Sequence, residues 1–454
     1  MTTQKNSVSI SSDGSTVTVK SGVSGRTLLI ILLVAAAART SMAFVLEGQP
    51  TFPDGVRYQT IAEHVVTHKE YPTYGTYGGP LHPLVLASLY SVLGFSMTAA
   101  RVLTAVLGTI TCGAVYCIGA GLFSRRAGLV AAGLLAVYPL YIFLSALFEY
   151  PETLFTLLVA LSLLLLIRSS RVSRAWVYWG ISGIVLGLAS LSIPTSITFV
   201  PVLLIWAAVD SSAKSLGRLS KMLAFGLGVS CVVLGWAVHW QSRTGWFMVG
   251  SGNGGEALFK GNCELTWLTG EPDIEDVYGT TPPPPEHRNA WAKYKKVMDA
   301  SRVFPSGPER NRVFYKAVQD WYVTHPAQAF SLLGQKIALY WAPVAKLVCK
   351  HSADNTIMRV VQKATFVPIL LLAIVGAVAS RRHWRDLMPL YLFIGSQWAT
   401  YSLFSVSVRY RSHIDPMLIV LAAYAVSRVI GRKAGRLMKR PGDELVGSPC
   451  TVSC

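Results

Sequence analysis

Long apolar runs, each closed by a short polar interruption, recur from Leu28 to Ile430. Runs of that length with few charges are the pattern of helices that cross a bilayer. They predict a first helix from Leu28 through Phe44-Val45-Leu46, then spans at 98–123, 127–147, 151–167, 175–192, 195–209 and 221–240. Later apolar stretches fall at 332–348, 362–380, 386–404 and 413–430. Lys20 and Arg26 precede the first run as in a signal peptide, but no convincing cleavage site follows, so an uncleaved helix is expected. Residues 1–25, rich in Ser, Thr, Val and Gly, lack helical periodicity and read as a disordered cytoplasmic tail.

Hydrophobic residues make up 52% of the chain and charged residues 14%, which excludes an ordinary soluble domain. Charge then sets the orientation. The basic loops Arg125-Arg126, Arg168 to Arg174, Lys214 to Lys221 and Arg381 to Arg385, with the tail Arg432 to Arg440, belong on the cytoplasmic side. All can lie there only if 332–348 does not cross. That stretch carries Lys336, Lys346 and a mid-run Pro343, which suits an amphipathic helix in the outer interface. The expected fold class is an all-α polytopic membrane protein with about 10 transmembrane helices, both termini inside, interfacial helices and a large outer loop cap. Residues 26–431 would form the membrane domain, with outer loops 47–97 and 241–361, and 432–454 a basic cytoplasmic tail. On this topology 20 Lys and Arg face the cytosol against 5 Asp and Glu, so the net charge of +18 reports orientation. Basic residues scattered over short loops do not make a nucleic-acid face; membrane lipids are the expected surroundings.

The polar chemistry gathers in the two outer segments. Residues 54–70 and 81–93 read as helices along the interface, and after Pro282 to Pro285 two further helices are expected near 286–300 and 308–324, forming a cap. The seven cysteines give no disulfide framework; only Cys263 and Cys349 could meet outside. His64 and His68 stand at i and i+4 beside Glu63 and Glu70, a spacing that can present two imidazoles on one helix face. No third ligand is placed by sequence, and an exposed interfacial helix explains the pair equally well. No cofactor is expected, and a divalent metal stays open.

Several short motifs carry a resemblance through nearly the whole chain. They are Asp54-Gly55-Val56-Arg57-Tyr58 with Ile61-Ala62, Gly79-Pro80-Leu81-His82-Pro83, Arg101, and Leu122-Phe123-Ser124-Arg125-Arg126. Tyr138-Pro139, Glu152-Thr153-Leu154-Phe155, Gly187-Leu188-Ala189 and Pro194 follow, then Gly261-Asn262, Thr269-Gly270, His325-Pro326, Lys336, Trp341-Ala342-Pro343 and Arg409-Tyr410-Arg411. In order and spacing the sequence resembles the GT-C class of membrane glycosyltransferases that use polyprenyl-phosphate sugars, such as aminoarabinose transferases and protein O-mannosyltransferases.

The resemblance implies that Asp54 abstracts the acceptor proton and that the sugar is transferred with inversion, with Glu152 as a second acid in the site. Such a transfer needs a base at the acceptor hydroxyl and cations where the departing phosphate gathers charge. Arg39, Arg101, Lys336, Arg409 and Arg411 are the candidate cations, with Arg57, Tyr58 and Asn262 as further substrate contacts. Each has a plainer reading. Asp54 and Arg57 can be an i,i+3 surface pair, Glu152 a helix-start acid, and Arg39 a side chain snorkelling to the interface. On an extended segment Arg409 and Arg411 would face the same way, and on a helix they would diverge. One departure stands out: where aminoarabinose transferases place an acid and a phosphate-binding lysine, this chain has Gly78-Gly79-Pro80.

The expected partners are a polyprenyl-phosphate sugar donor and an acceptor of unknown class. A lipid or glycan transporter is the alternative, but the spans are nearly free of ionisable residues outside their outer thirds. No Asn-x-Ser/Thr sequon occurs, in keeping with a bacterial inner membrane and a periplasmic active face; an endoplasmic-reticulum enzyme is the other possibility.

Overall fold

A first helix, α1 (Gly22–Val45), leads to two helices of the first loop, α2 (Pro53–His68) and α3 (Leu81–Leu93), which pack on each other. The structure is a computed structural model, and it describes residues 22–47, 53–74, 78–148, 150–210, 215–270, 283–304, 307–343 and 356–438. The bundle continues with α4 (Met97–Leu122), α5 (Arg125–Ala136), α6 (Pro139–Leu144), α7 (Glu152–Ser169) and α8 (Ala175–Ser192). A 3-10 turn at Pro194–Thr198 opens α9 (Phe199–Val209), and the long α10 (Ser215–Thr244) follows.

Among the described residues, six helices are long and apolar enough to cross a membrane: Gly25–Val45 within α1, α4, α7, α8, Leu216–Thr244 within α10, and Arg359–Ala379. Each of the other four expected spans also contains helix, in shorter, broken or more polar form. The stretch expected to run unbroken from 127 to 147 is two helices. Pro139 has no N–H to give to the ladder, so α5 stops at Ala136 and α6 starts afresh with the proline in its first turn. The serine caps are local and legible: Ser96 accepts from the Ala99 N–H at 3.1 Å and Ser124 from the Ala127 N–H at 3.2 Å, fixing where α4 and α5 begin. α8 and α10 approach so closely that a Cβ added to Gly183 would sit 2.2 Å from the Phe225 carbonyl oxygen, the small-residue packing that membrane helices use.

The second outer segment folds as a cap of short helices, α11 (Gly254–Gly261), α12 (Glu264–Thr269), α13 (Arg288–Arg302), α14 (Pro308–Thr324) and α15 (Pro326–Leu339). The cap has its own apolar core of Phe259, Leu265, Tyr294, Met298 and Phe314. The stretch expected to lie in the interface rather than cross is represented by α15, whose 14 residues span about 21 Å, short of the membrane thickness. The chain closes with α16 (Thr356–Ala379), α17 (Trp384–Leu403), the single turn α18 (Val408–Arg411) and α19 (Asp415–Met438). One continuous core joins residues from Ala35 to Ala423. Most of the expected N-terminal tail, the far C-terminal tail and Cys349 lie outside the described residues; Cys263 is buried next to Thr266.

Candidate active site

Three polar side chains from remote parts of the chain converge between the first loop and the cap end of the bundle. Asp54 stands in the first turn of α2, Glu152 is the first residue of α7, and Arg409 belongs to α18. Arg409 Nη1 donates to Asp54 Oδ2 at 2.8 Å, and its Nε donates to Glu152 Oε1. The guanidinium also lies over the Tyr150 ring, 4.0 Å from its centroid. Ser407 sets this direction: its hydroxyl accepts the Tyr410 N–H at 3.3 Å and turns the chain into a helix. A helical turn sends Arg409 and Arg411 apart.

Exposure divides the labour. The Asp54 side chain keeps 17% of its accessible surface and Arg409 11%, whereas Glu152 keeps 2%. Asp54 is therefore the carboxylate an incoming molecule can meet, and Glu152 is the anchor behind it. Glu152 Oε2 is buried without a hydrogen-bond partner among the described residues, so one acceptor of the site is left to spare. Burial works against the charge of Arg409, but Glu152 and Asp54 outweigh it and hold the guanidinium above its ordinary range.

The wall of the site is aromatic. Tyr58 is buried with its ring edge-on to His82, centroids 5.1 Å apart. His82 Nε2 donates to the Phe148 carbonyl at 2.7 Å; burial, reinforced by the charge of Arg409, pushes its pKa down to about 4, so the ring is neutral at physiological pH. On the other side Tyr410 stacks on Tyr401 at 4.7 Å, and the Tyr401 hydroxyl meets Thr195 at 3.0 Å and His413 Nδ1 at 3.1 Å. Neither Tyr150 nor this stack was anticipated from the sequence.

The Gly78-Gly79 departure has a steric cause. Gly78 has φ +72°, and a Cβ there would meet the Tyr58 hydroxyl at 2.3 Å; one at Gly79 would lie 2.1 Å from the Leu191 carbonyl oxygen. The Tyr58 ring fills the space a side chain at Gly78 would need, and the C-terminal end of α8 that at Gly79.

Other candidate cations are satisfied elsewhere. Arg39, fully buried, donates to the carbonyls of Ala35, Leu135 and Ala136 at 3.0–3.1 Å. It thereby caps the end of α5 that Pro139 leaves without partners. Arg411 donates to the Ala342 carbonyl, lies over the Phe366 ring and stands 3.7 Å from Asp415, which in turn accepts from Tyr138. Lys336 reaches Gly261 O, Asn262 Oδ1, Leu403 O and Phe404 O at 2.7–3.2 Å, and burial pushes its pKa down to about 8. Asn262 also donates to Leu258 O and Leu403 O and accepts from Tyr322, so this knot ties the cap to α17. Arg101 donates to Leu46 O at 2.6 Å beside the Phe148 ring, and Arg57 is exposed one turn beyond Asp54. Asp54 is thus held by Arg409, 355 residues away, rather than only by local contacts.

His64 and His68 do share a face, their rings stacked 4.1 Å apart, with His68 Nδ1 2.7 Å from the Thr67 hydroxyl. Among the described residues no group of three or more His, Cys, Asp or Glu is placed to hold a metal ion.

Residues 77–239 match the model of the dolichyl-phosphate-mannose-protein mannosyltransferase family. No curated protein is similar to the chain by sequence. Among solved structures, the oligosaccharyltransferase AglB from Archaeoglobus fulgidus, in complex with an inhibitory peptide and a dolichol-phosphate, matches with a TM-score of 0.56 and 15% identity. The match covers 95% of this chain and 53% of that one. The apo form of the same organism's enzyme matches at 0.57 and 16%, over 96% and 53%. The chain spans about half the length of these proteins. ArnT from Cupriavidus metallidurans bound to undecaprenyl phosphate gives 0.43 and 14% over 90% and 78%, a score too low to bear on the fold. The resemblance to GT-C membrane glycosyltransferases is borne out, as is the all-α membrane fold, with six candidate spans identified where about ten were expected. The chain is an integral membrane protein.

Proposed function

We propose that the chain is an inverting glycosyltransferase that moves a sugar from a polyprenyl-phosphate donor to an acceptor hydroxyl. The observation that carries this reading is the convergence of Asp54, Glu152 and Arg409 on a GT-C fold. Support for the donor class comes from the family match over 77–239 and from the dolichol-phosphate held by AglB. The positive-inside rule assigns the basic loops to the cytosol and the site, at the other end of the bundle, to the extracytoplasmic face of what we take to be a bacterial inner membrane.

In the resting state one guanidinium, that of Arg409, is shared between the carboxyl groups of Asp54 and Glu152. An arriving donor phosphate competes for the guanidinium and frees Asp54. Asp54 then takes the proton of the acceptor hydroxyl as its oxygen attacks the anomeric carbon. The bond from that carbon to the phosphate oxygen breaks, and its electron pair leaves with the phosphate, where Arg409 meets the developing charge. Glu152 keeps Arg409 in register throughout.

The test is release of polyprenyl phosphate from labelled polyprenyl-phosphate sugars by the protein in nanodiscs, with detergent-extracted envelope as the acceptor pool. Asp54→Asn should lower turnover by roughly 10²- to 10⁴-fold without changing the melting temperature by more than a few degrees. Equal turnover in wild type and Asp54→Asn would remove Asp54 from the role of base.

A further inference from the structure

The opposite end of the bundle carries a cavity. α7 has Glu152 at one end and Ser169 at the other, so its 18 residues separate the two levels by about 27 Å. Around Ser169 the ends of α4, α7, α8, α9, α10 and α17 enclose a cavity of about 240 Å³. Arg171, Arg218, Lys221 and Arg385 line it together with two acids, Asp210 and Asp386. These cations come from three of the basic loops that sequence alone could place only on a common side, and the fold gathers them round one opening.

We propose that this cavity binds a phosphate group at the membrane boundary, presented by an anionic lipid. The lining charges sum to an excess of two positive. Two of the cations are fixed by backbone: Arg171 donates to Gly121 O, and Arg218 to Ala208 O and Asp210 O at 3.1 and 2.9 Å. Lys221 and Arg385 have no carboxylate partner among the described residues; the Arg385 guanidinium lies over the Trp384 ring, 5.4 Å from its centroid, a contact that leaves its N–H donors to a ligand. A phosphate oxygen accepts such charge-assisted bonds well. Leu166, Ile167, Trp206 and Pro389 add apolar lining, and Trp179 has its indole N–H already taken by Ser169 at 2.9 Å. Cationic and apolar side chains lining one cavity at helix ends match an amphiphile with a phosphate head better than a fully water-soluble anion.

The experiment uses the full chain in detergent with native mass spectrometry, comparing retention of phosphatidylglycerol, phosphatidylcholine and inorganic phosphate. Wild type should retain phosphatidylglycerol over phosphatidylcholine, and Lys221→Gln/Arg385→Gln should weaken that retention about tenfold. Arg125→Gln/Arg126→Gln, which removes the same charge from exposed positions at the start of α5, should leave it within twofold. Competition by millimolar inorganic phosphate distinguishes the sources: poor competition assigns the site to a lipid head, and full displacement with no lipid preference to a free anion, which overturns the lipid proposal. An equal loss in both double variants reduces the effect to diffuse charge and also overturns it. Melting temperatures of both variants report that the fold is intact.

Discussion

Arg39 and Arg409 are both buried guanidiniums toward the cap end of the bundle, and they are satisfied in opposite ways. At the α1/α5 junction, Arg39 donates, among the described residues, to main-chain carbonyls, and those of Leu135 and Ala136 cannot leave without breaking the end of α5. At α18, Arg409 donates to two carboxylates, one of them open to an incoming molecule. A phosphate can exchange for a side-chain carboxylate at modest cost, because charge replaces like charge; it cannot replace a carbonyl that holds the end of α5 in place. Burial of a cation is therefore a poor guide to function, and the identity of its acceptor is a better one. Lys336 falls on the Arg39 side of the divide, held mainly by carbonyls at chain junctions, whereas Arg411 is divided between the Ala342 carbonyl and the buried carboxylate of Asp415.

That contrast can be broken by substitution. The largest expected effect is on Arg409→Ala, which strands Glu152 in a site where its side chain keeps 2% exposure and should cost about 3–5 kcal/mol in denaturant unfolding. Adding Glu152→Gln should recover much of that stability while turnover stays lost. Recovery of turnover in the double variant would contradict the role given to Arg409. Next, Arg39→Met should destabilise by about 2–4 kcal/mol, since buried carbonyls lose their donor. Turnover of the remaining folded protein should stay within a few-fold of wild type, and a loss as deep as that of Asp54→Asn would place Arg39 in the chemistry.

A pH-dependent effect of comparable size concerns His82. Its folded pKa near 4 lies below the unfolded value of about 6.5, so the unfolded chain binds more protons between those limits. Stability should be fully present above pH 6.5 and fall as the pH drops toward 4, by about 3 kcal/mol for this group. Thermal melts at pH 4.5 and 7 should therefore converge in His82→Gln; an unchanged gap would show that His82 does not titrate in that window.

Much of the local architecture was legible because its causes are local. The helices expected at 54–70, 286–300 and 308–324 form at Pro53–His68, Arg288–Arg302 and Pro308–Thr324, since turn residues and apolar spacing fix their ends. Tyr138-Pro139 marks a break, yet the apolar pattern runs through it from 127 to 147, and without that break the partners of Arg39 do not follow from the sequence. Arg411 and Asp415 stand at i,i+4 and could have been paired from spacing. The meeting of Arg409 with Asp54 and Glu152 could not, for separations of 355 and 257 residues leave no trace in any local pattern.

The most direct measurement is the affinity of a short-chain prenyl phosphate for wild type, Arg39→Met and the charge-matched Arg409→Met/Glu152→Gln. Calorimetry in a fixed detergent should show at least tenfold weaker binding for the Arg409 variant and little change for Arg39→Met. Unchanged binding without Arg409, or equal losses in both variants, would contradict the assignment of the carboxylate-held arginine as the phosphate's counter-ion.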